Sequence, residues 1–276
     1  MKNYTIFLIL ILILSGCQIP KTIDNEQMYI RGMGSEDVLP IVQDYDSNQT
    51  ILIAGWNLQI FGEKKSNDEE LMSYYVNKID DYDIIIIQEI RNKSGEAFEK
   101  LCGMLPAYNC IVSTRAGTSS SKEQYGVIYK DVELIGTTDY NDENHFNDFE
   151  RPPFLVAFKR GEWEFHLITI HMKPDDVARE MANLEKLLSE IDGEIIIMGD
   201  LNGDCRYYNE EDESHFDNWT WIIPNDADTT VSQTDCAYDR IIHNDAVNDN
   251  FVEYGIMKSV VKEQSDHYLI WGEYGN

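Results

Sequence analysis

Positive charge is scarce in this sequence of 276 residues. There are 22 lysine and arginine residues against 50 aspartate and glutamate residues, which gives a net charge of −28 at pH 7. Such a surface repels polyanions, so the composition argues against loose binding to nucleic acid or anionic lipid through a basic patch. Apolar residues make up 43% of the chain, enough to bury a full core, which excludes general disorder.

Other common signatures are also missing. No Cys-x-x-Cys spacing occurs, which argues against a structural zinc site. No internal repeat, low-complexity tract or linker interrupts residues 50–276, so we expect one domain there. No serine or cysteine stands in a recognisable nucleophile motif, which argues against a covalent hydrolase mechanism.

The N-terminus has the features of an exported chain. Lys2 precedes the run Ile6–Leu14, which is too short to span a bilayer comfortably. The sequence Leu-Ser-Gly-Cys then ends at Cys17 and resembles the lipobox of bacterial lipoproteins. We expect a signal peptide at 1–16, a lipidated Cys17 with a flexible tether over 17–49, and an extracytoplasmic domain attached to the bacterial cell membrane by lipid alone. The alternative is an ordinary signal peptide with a chance cysteine. Cleavage removes one lysine and no acid, so the mature charge is −28 − 1 = −29.

The remaining cysteines indicate disulfides. If Cys17 carries lipid, Cys102, Cys110, Cys205 and Cys236 are left. An even number in an exported protein predicts two bridges, and the sequence leaves three pairings open.

The apolar pattern predicts many strands and few helices. The run Asp83–Ile90 is apolar on both faces, as in a buried central strand, and Ser66 with Glu69 forms a capping box that predicts a helix start. A second helix is predicted at 176–191, and a hairpin that turns near 159–162. Further strands are predicted at 50–60, 124–130, 194–198, 236–242 and 267–274. We expect an α/β fold with two β-sheets packed face to face and flanked by helices, a four-layer sandwich.

Polar residues stand where the predicted strands finish, and strands that finish together place these side chains around one cleft. The residues are Asn57, Glu89, His171, Asp200, Asn202, Asp239, Asp266 and His267. Carboxylate and amide oxygens suit Mg²⁺, Mn²⁺ or Ca²⁺, and imidazoles beside carboxylates suit proton transfer near neutral pH. The set indicates attack of water on a phosphodiester.

Seven motifs occur in order between Thr50 and Tyr274: WNLQIFGE, IIQEIR, KEQYGVIYK, ITIHMKPDDVAREM, MGDLNGDCRY, CAYDRI and SDHY. Together they resemble the metal-dependent endonuclease/exonuclease/phosphatase superfamily and, more closely, its deoxyribonuclease I branch. GDLN and SDH are shared across the superfamily, whereas KEQY and CAYDRI are more specific to the nuclease branch.

The resemblance implies a role for each site residue. A catalytic Mg²⁺ or Mn²⁺ would be held by Glu89, with Asn57 and Asp266 nearby. The catalytic pairs would be His171 with Glu123 and His267 with Asp239, while Asp200 and Asn202 would position phosphate and water. Which histidine is the acid stays open, because coupled sites share their titration. Arg91, Arg151 and Tyr207 would contact the substrate.

The resemblance also implies a bridge and a structural ion. Cys205 would pair with Cys236, and Cys102 with Cys110 would form a second bridge without a family counterpart. A structural calcium loop would use Asp228, Thr230, Ser232 and Thr234; the alternative is a polar loop without an ion. The family's second calcium loop is poorly matched, because Pro152 stands where a carboxylate is expected.

Two departures concern the DNA contact. Ser121 stands where the family has a tyrosine that stacks in the minor groove, and Gln59 stands where it has an arginine. We therefore expect a weaker grip on duplex DNA with the chemistry intact.

The leading hypothesis is a monomeric, surface-anchored, divalent-metal-dependent endonuclease that cleaves DNA with low sequence specificity. One alternative is a sphingomyelinase-like phosphodiesterase, and another is a catalytically inactive adhesin of the same fold. DNA or RNA and single or double strand remain open at this stage.

Overall fold

The structure of the chain is a computed structural model that describes residues 50–118, 121–141, 145, 147–209 and 214–275. The predicted signal peptide, Cys17 and the tether lie outside the described residues. No helix in the described part of the chain is long and apolar enough to cross a membrane.

Twelve strands form two six-stranded sheets. The strands are β1 (Ile51–Phe61), β2 (Ile84–Ile90), β3 (Asn109–Val112), β4 (Gln124–Tyr129), β5 (Glu133–Asp139), β6 (Phe154–Arg160), β7 (Trp163–Thr169), β8 (Glu194–Asp200), β9 (Thr220–Trp221), β10 (Asp239–His243), β11 (Phe251–Met257) and β12 (Leu269–Tyr274). The first sheet has the order β11-β12-β1-β2-β4-β3 and the second β5-β6-β7-β8-β10-β9. In each sheet the central pair, β1 with β2 and β7 with β8, is parallel, and the other neighbours are antiparallel.

Four α-helices are described: α1 (Glu63–Ser66), α2 (Glu69–Ile79), α3 (Glu96–Gly103) and α4 (Val177–Leu188). Short 3-10 turns at Pro174–Asp176 and Asp245–Val247 complete the regular structure. The apolar faces of α2 and α3 pack on the outer face of the first sheet, and α4 packs on the outer face of the second.

The layers follow from the alternation of side chains along the central strands. On β2, Ile84 and Ile86 point between the sheets, whereas Ile85 and Ile87 point toward the helices. Both faces are apolar because both are covered. At Gly55 the sheets approach so closely that a Cβ atom would lie 2.9 Å from the Met198 side chain. The predicted four-layer α/β sandwich is confirmed.

Several element bounds differ from the prediction. The helix predicted to begin at Ser66 begins at Glu69, because a separate one-turn helix ends at Ser66 and the Asp68 side chain caps α2 by accepting from the Leu71 amide. The helix predicted at 176–191 ends at Leu188. The hairpin turn near 159–162 is confirmed, because β6 ends at 160 and β7 begins at 163. Strands β3, β5, β9 and β11 were not predicted.

We expected every site residue to stand at the end of a strand, and this is wrong for two strands, where the residues stand at the start. Asp239 is the first residue of β10, and Asp266 and His267 precede β12. Strand β10 is antiparallel to β8, and β12 is antiparallel to β1. Strands β10 and β12 therefore begin at the edge of the sandwich where the polar residues of β8 and β1 lie. The residues still share one edge of the sandwich.

Candidate active site

Three polar side chains converge on one oxygen atom at this edge. Asp200 Oδ2 lies 3.3 Å from His171 Nε2 and 3.5 Å from His267 Nε2. The amide nitrogen of Asn57 donates to the same oxygen at 3.0 Å. The four residues come from both sheets, so the site forms only when the sheets pack together.

Each imidazole is held by a carboxylate on its other nitrogen. His171 Nδ1 lies 2.8 Å from Glu123 Oε2, and His267 Nδ1 lies 2.8 Å from Asp239 Oδ2. All four residues are at most 9% exposed. A carboxylate on Nδ1 fixes the tautomer and orientation, and it leaves Nε2 directed at the site.

The buried charges have strongly shifted pKa values. Burial opposes ionisation of Glu123, but the hydrogen bond and charge of His171, with Arg151 and Arg91, lower its pKa to about 2. Burial lowers the pKa of His267, but Asp239 and Asp200 outweigh it and raise that pKa to about 10. Burial also raises the pKa of Asp239, so this pair keeps a proton at neutral pH.

Glu89 and Asp266 supply the oxygens best suited to a cation. Glu89 Oε2 accepts from the Ile60 amide at 2.7 Å and from Arg91 at 3.0 Å. Asp266 Oδ2 accepts from Gln59 at 2.7 Å, whereas Asp266 Oδ1 is shielded from solvent and has no hydrogen-bond donor.

The donor set fits a hard divalent cation. An oxygen without a donor at a carboxylate-rich edge is the arrangement that such an ion completes. Ligand atoms of Glu89, Glu123 and His171 also lie within 4.8 Å of one another, as do those of Asp200, Asp239 and His267.

Asn57 and Asn202 enter the site with their amide nitrogens. Asn57 Oδ1 accepts from the Gln59 backbone amide at 2.9 Å, so Nδ2 faces the carboxylates of Asp200 and Glu89. An oxygen ligand role for Asn57 would need the amide rotated by half a turn. The side-chain Nδ2 of Asn202 donates to the Met172 carbonyl at 3.0 Å, and the backbone amide of Asn202 donates to Asp200 Oδ1.

The two predicted substrate-binding arginines differ in exposure and in the groups that they contact. Arg91 bridges Glu89 and Glu123, and its side chain is 27% exposed. Arg151 is 12% exposed and donates to the carbonyls of His171 and Met172, so it mainly holds the His171 segment in place.

Tyr207 lies in the loop after β8 and packs on neighbouring side chains. Its ring is 5.3 Å from that of Tyr238, with the guanidinium of Arg206 4.5 Å above it. Ser121 is exposed in the segment before Glu123.

Both expected disulfides are present. Cys205 and Cys236 have Cα atoms 5.9 Å apart and join the loop after β8 to the segment before β10. Cys102 and Cys110 have Cα atoms 6.3 Å apart and join α3 to β3.

The proposed calcium loop gathers four oxygens. Asp228 Oδ1 lies 3.3 Å from Thr230 Oγ1, which is 3.0 Å from Ser232 Oγ and 2.9 Å from the Thr234 carbonyl. Asp228 is the one carboxylate of this set, and Lys258 Nζ lies 3.9 Å from its Oδ2. The converging oxygens fit a calcium ion that replaces these mutual hydrogen bonds.

Sequence reasoning missed residues that position the site. Gln88 is fully buried in β2; its amide nitrogen donates to Thr169 Oγ1 and the Ile170 carbonyl, and its oxygen accepts from the Asp200 amide at 2.8 Å. Ser265 donates to the Asn57 carbonyl at 2.6 Å and accepts from the His267 amide. A polar residue inside an otherwise apolar strand was the available signal for Gln88.

Comparison with known proteins agrees with this geometry. Residues 54–267 match the model of the endonuclease/exonuclease/phosphatase family. The chain belongs to this family. Deoxyribonuclease-1 of Bos taurus is 31% identical over 256 residues, covering 80% of this chain and 91% of the relative. Deoxyribonuclease-1 of Homo sapiens is 32% identical with the same coverage. These similarities support a nuclease or phosphodiesterase that acts by hydrolysis.

Solved structures share the fold at low identity. A humanized D. rerio TDP2 superposes with a TM-score of 0.63 at 14% identity, covering 82% of this chain and 99% of that chain. An endonuclease/exonuclease/phosphatase from Bacteroides vulgatus gives a TM-score of 0.63 at 16% identity, covering 82% and 98%.

Proposed function

We propose that the chain is a divalent-metal-dependent endonuclease that hydrolyses DNA phosphodiester bonds with low sequence specificity. The observation that carries this proposal is the pair of imidazole–carboxylate dyads on either side of Asp200 Oδ2, with Nε2 distances of 3.3 and 3.5 Å. The similarity to deoxyribonuclease-1 of two mammals supports DNA as the substrate.

The two dyads supply proton transfer. One imidazole accepts the proton of the attacking water, and the other donates a proton to the leaving oxygen. The carboxylates of Glu123 and Asp239 hold the rings in position and stabilise the charged imidazolium form. Asp200, with its backbone amide fixed by Gln88, stands between the rings and orients the water.

Glu89 and Asp266 are the residues that would hold Mg²⁺ or Mn²⁺. A divalent cation there supplies positive charge for the phosphoryl and leaving oxygens. Arg91 adds a fixed positive charge next to Glu89 and is exposed enough to meet a phosphate. Contacts to phosphate carry no base information, which supports low sequence specificity.

We also propose that the enzyme acts outside the cell as a monomer. The Leu-Ser-Gly-Cys sequence ending at Cys17 supports cleavage and lipidation, which would attach the domain to the bacterial membrane by lipid alone. Labelling with a palmitate analogue is expected to mark the wild-type protein, whereas Cys17→Ser is expected to lose the label and appear in the medium. An unlabelled wild-type protein would contradict the anchor.

The activity is tested with purified residues 50–276 on supercoiled plasmid, with RNA and sphingomyelin as parallel substrates. We expect cleavage of DNA with Mg²⁺ or Mn²⁺ and none with EDTA. His171→Ala and His267→Ala should each lower kcat by about 10²- to 10⁴-fold, the usual contribution of general acid–base catalysis, without unfolding the domain.

His166→Ala is the matched control, because His166 lies on β7 away from the site and should be replaceable without loss of cleavage. Sphingomyelin hydrolysis without DNA cleavage would contradict the nuclease assignment. A His171→Ala or His267→Ala variant with near-normal cleavage would contradict the proton-transfer role of that residue.

A further inference from the structure

A groove beside the catalytic centre runs between α3 and β3. It has a volume of about 1000 Å³. Its lining includes Lys93, Lys100 and Arg115, and the Cys102–Cys110 disulfide lies along it. The volume is at the upper end of the range of small-molecule sites.

The part of the chain that forms this groove has the opposite charge from the rest. Residues 91–124 contain five basic residues and three acidic ones, a net charge of 5 − 3 = +2. The other residues contain 17 basic and 47 acidic residues, a net charge of 17 − 47 = −30. The charged residues that line the groove are Lys93, Lys100 and Arg115, which are basic, and Glu96 and Glu99, which are acidic. The lining itself has a net charge of 3 − 2 = +1, so a polyanion meets less repulsion at this groove than over the rest of the acidic surface.

One end of the groove lies next to segments that carry residues of the site. Arg115, which lines the groove, donates to the Lys122 carbonyl at 2.6 Å and to the Asn92 carbonyl at 3.1 Å. Gln124 lines the groove and directly follows Glu123, the partner of His171. A strand that occupies the groove would therefore pass, at the Arg115 end, beside the segments that carry Arg91 and Glu123.

We propose that this groove binds a single-stranded segment of the nucleic acid that flanks the scissile phosphate. The inference rests on the proposed function and names the form of its substrate. Single strands are bound in positively charged grooves that follow the phosphate backbone. A single strand can lie along such a surface with its phosphates against the basic side chains and its bases against the wall. Ser121, in the loop before Glu123, has no long side chain to project.

The test measures binding in EDTA, so that cleavage cannot interfere. The probe is a fluorescein-labelled oligothymidylate of about 12 nucleotides, a length within the usual range for single-strand sites. The variant is Lys93→Ala with Lys100→Ala, two exposed lysines. We expect the dissociation constant to rise about tenfold at low salt, and the slope of log K against log salt to fall by about 1.4, or about 0.7 for each lost phosphate contact.

The control carries the same change in charge. Lys159→Ala with Lys186→Ala also removes two lysines, on β6 and α4, away from the groove. An equal loss of affinity in this control, or unchanged affinity in the groove variant, would overturn the proposal. Equal weakening of a duplex of the same length would overturn the single-strand assignment.

Cleavage by the wild-type protein separates the two proposals. Wild-type protein that binds the oligonucleotide through the two lysines but cleaves no nucleic acid with Mn²⁺ would contradict the nuclease function and support the groove. Wild-type protein that cleaves nucleic acid but binds the oligonucleotide equally well without the two lysines would support the nuclease function and contradict the groove.

Discussion

Gln88 determines where the central carboxylate of the site stands. Its side chain crosses from the first sheet to the second and contacts the Asp200 amide, the Ile170 carbonyl and the Thr169 hydroxyl. A Cβ atom on residue 199 would lie 2.3 Å from the Gln88 amide nitrogen, so Gly199 is required for this crossing. The φ of Gly199, +153°, is also one that other residues rarely adopt.

We expect Gln88→Met to lower both stability and activity. Methionine is similar in length but leaves the Asp200 amide and the Ile170 carbonyl buried without partners, which costs about 2–4 kcal/mol of unfolding free energy. A displaced Asp200 should lower kcat by about 10²-fold with little change in KM. Urea denaturation and steady-state cleavage of DNA measure the two effects.

Thr169→Val is the matched control for Gln88→Met. It removes one partner of the Gln88 nitrogen but leaves the contacts with Ile170 and Asp200 in place. This variant should lose about 1 kcal/mol at most and keep near-normal kcat. Equal loss of kcat in both variants would contradict the positioning role of Gln88.

Residue identities at the site could be predicted from the sequence, but side-chain orientations could not. His171 and Glu123 were paired through motifs typical of the family, and the structure places them 2.8 Å apart. The side-chain amide of Asn57 is oriented by its hydrogen bond from the Gln59 backbone amide. The position of that backbone amide depends in turn on the φ of Gln59, which is +45°. A contact of this kind leaves no pattern in composition or periodicity.

At the scale of elements, the end of β1 is bent around the carboxylate of Glu89. Gln59 and Ile60 have φ values of +45° and +55°, which are unfavourable for residues other than glycine and most of all for a β-branched isoleucine. The Ile60 amide compensates by donating to Glu89, and Lys65 donates to the Leu58 and Gln264 carbonyls at 2.7 Å. Strain of this kind persists where the surrounding contacts over-determine the backbone, as they do at functional sites.

Whether an element could be predicted depended on how strongly it is buried. Strand β2 was evident because four consecutive isoleucines cover both faces. Strand β11 lies at the edge of the first sheet with Val252 54% exposed, so its pattern has no clear apolar face. The start of α2 was misplaced because Ser66 and Asp68 are both good capping residues and lie two positions apart.

The loop from Asp228 to Thr234 is expected to bind calcium and to stabilise the domain. An ion that binds the folded state alone adds about 2.7 kcal/mol at 100 times its dissociation constant. For a domain of this size we expect the melting temperature to rise by roughly 5–10 °C, measured by differential scanning calorimetry with and without Ca²⁺. Asp228→Ala should remove most of this rise, because Asp228 is the carboxylate among the converging oxygens.

Asp226→Ala is the control for the calcium site. Asp226 is exposed two positions before Asp228, so the variant removes the same charge without touching the loop oxygens. A calcium-induced rise that is retained in Asp228→Ala, or lost equally in Asp226→Ala, would place the ion elsewhere.

At the scale of the whole molecule, the two ends of the sandwich hold opposite kinds of histidine. At the catalytic end, each imidazole is held by a carboxylate 2.8 Å from its Nδ1 atom. At the far end, His243 closes β10 and packs against Phe251 and Tyr274 of the first sheet, with ring centroids 5.5 and 6.3 Å away. It is 1% exposed, and neither ring nitrogen has a hydrogen-bond partner.

We expect His243 to make the sandwich sensitive to mild acid. Burial lowers the pKa of His243 to about 4, although Asp245 opposes the shift. Above pH about 6.5 the imidazole is neutral in both the folded and the unfolded chain, so it does not alter stability. As the pH falls below that value, His243 is protonated in the unfolded chain but stays neutral in the folded chain. The free energy of unfolding therefore falls until the pH reaches about 4, where the folded chain also binds the proton. Between pH 7 and pH 5 this group alone should remove about 2 kcal/mol of unfolding free energy.

Replacing His243 tests this account, because His243→Phe and His243→Leu remove the titrating group from the sheet interface while filling the same space with apolar atoms. Urea denaturation at pH 7 and pH 5 should show that each variant loses about 2 kcal/mol less than the wild-type protein over this interval. His145→Gln, which removes a histidine from a loop outside the sandwich, should follow the wild-type curve. Two variants are needed because either one alone could shift the packing against Phe251 and Tyr274. If both variants lose as much stability between pH 7 and pH 5 as the wild-type protein does, the acid sensitivity arises from other groups.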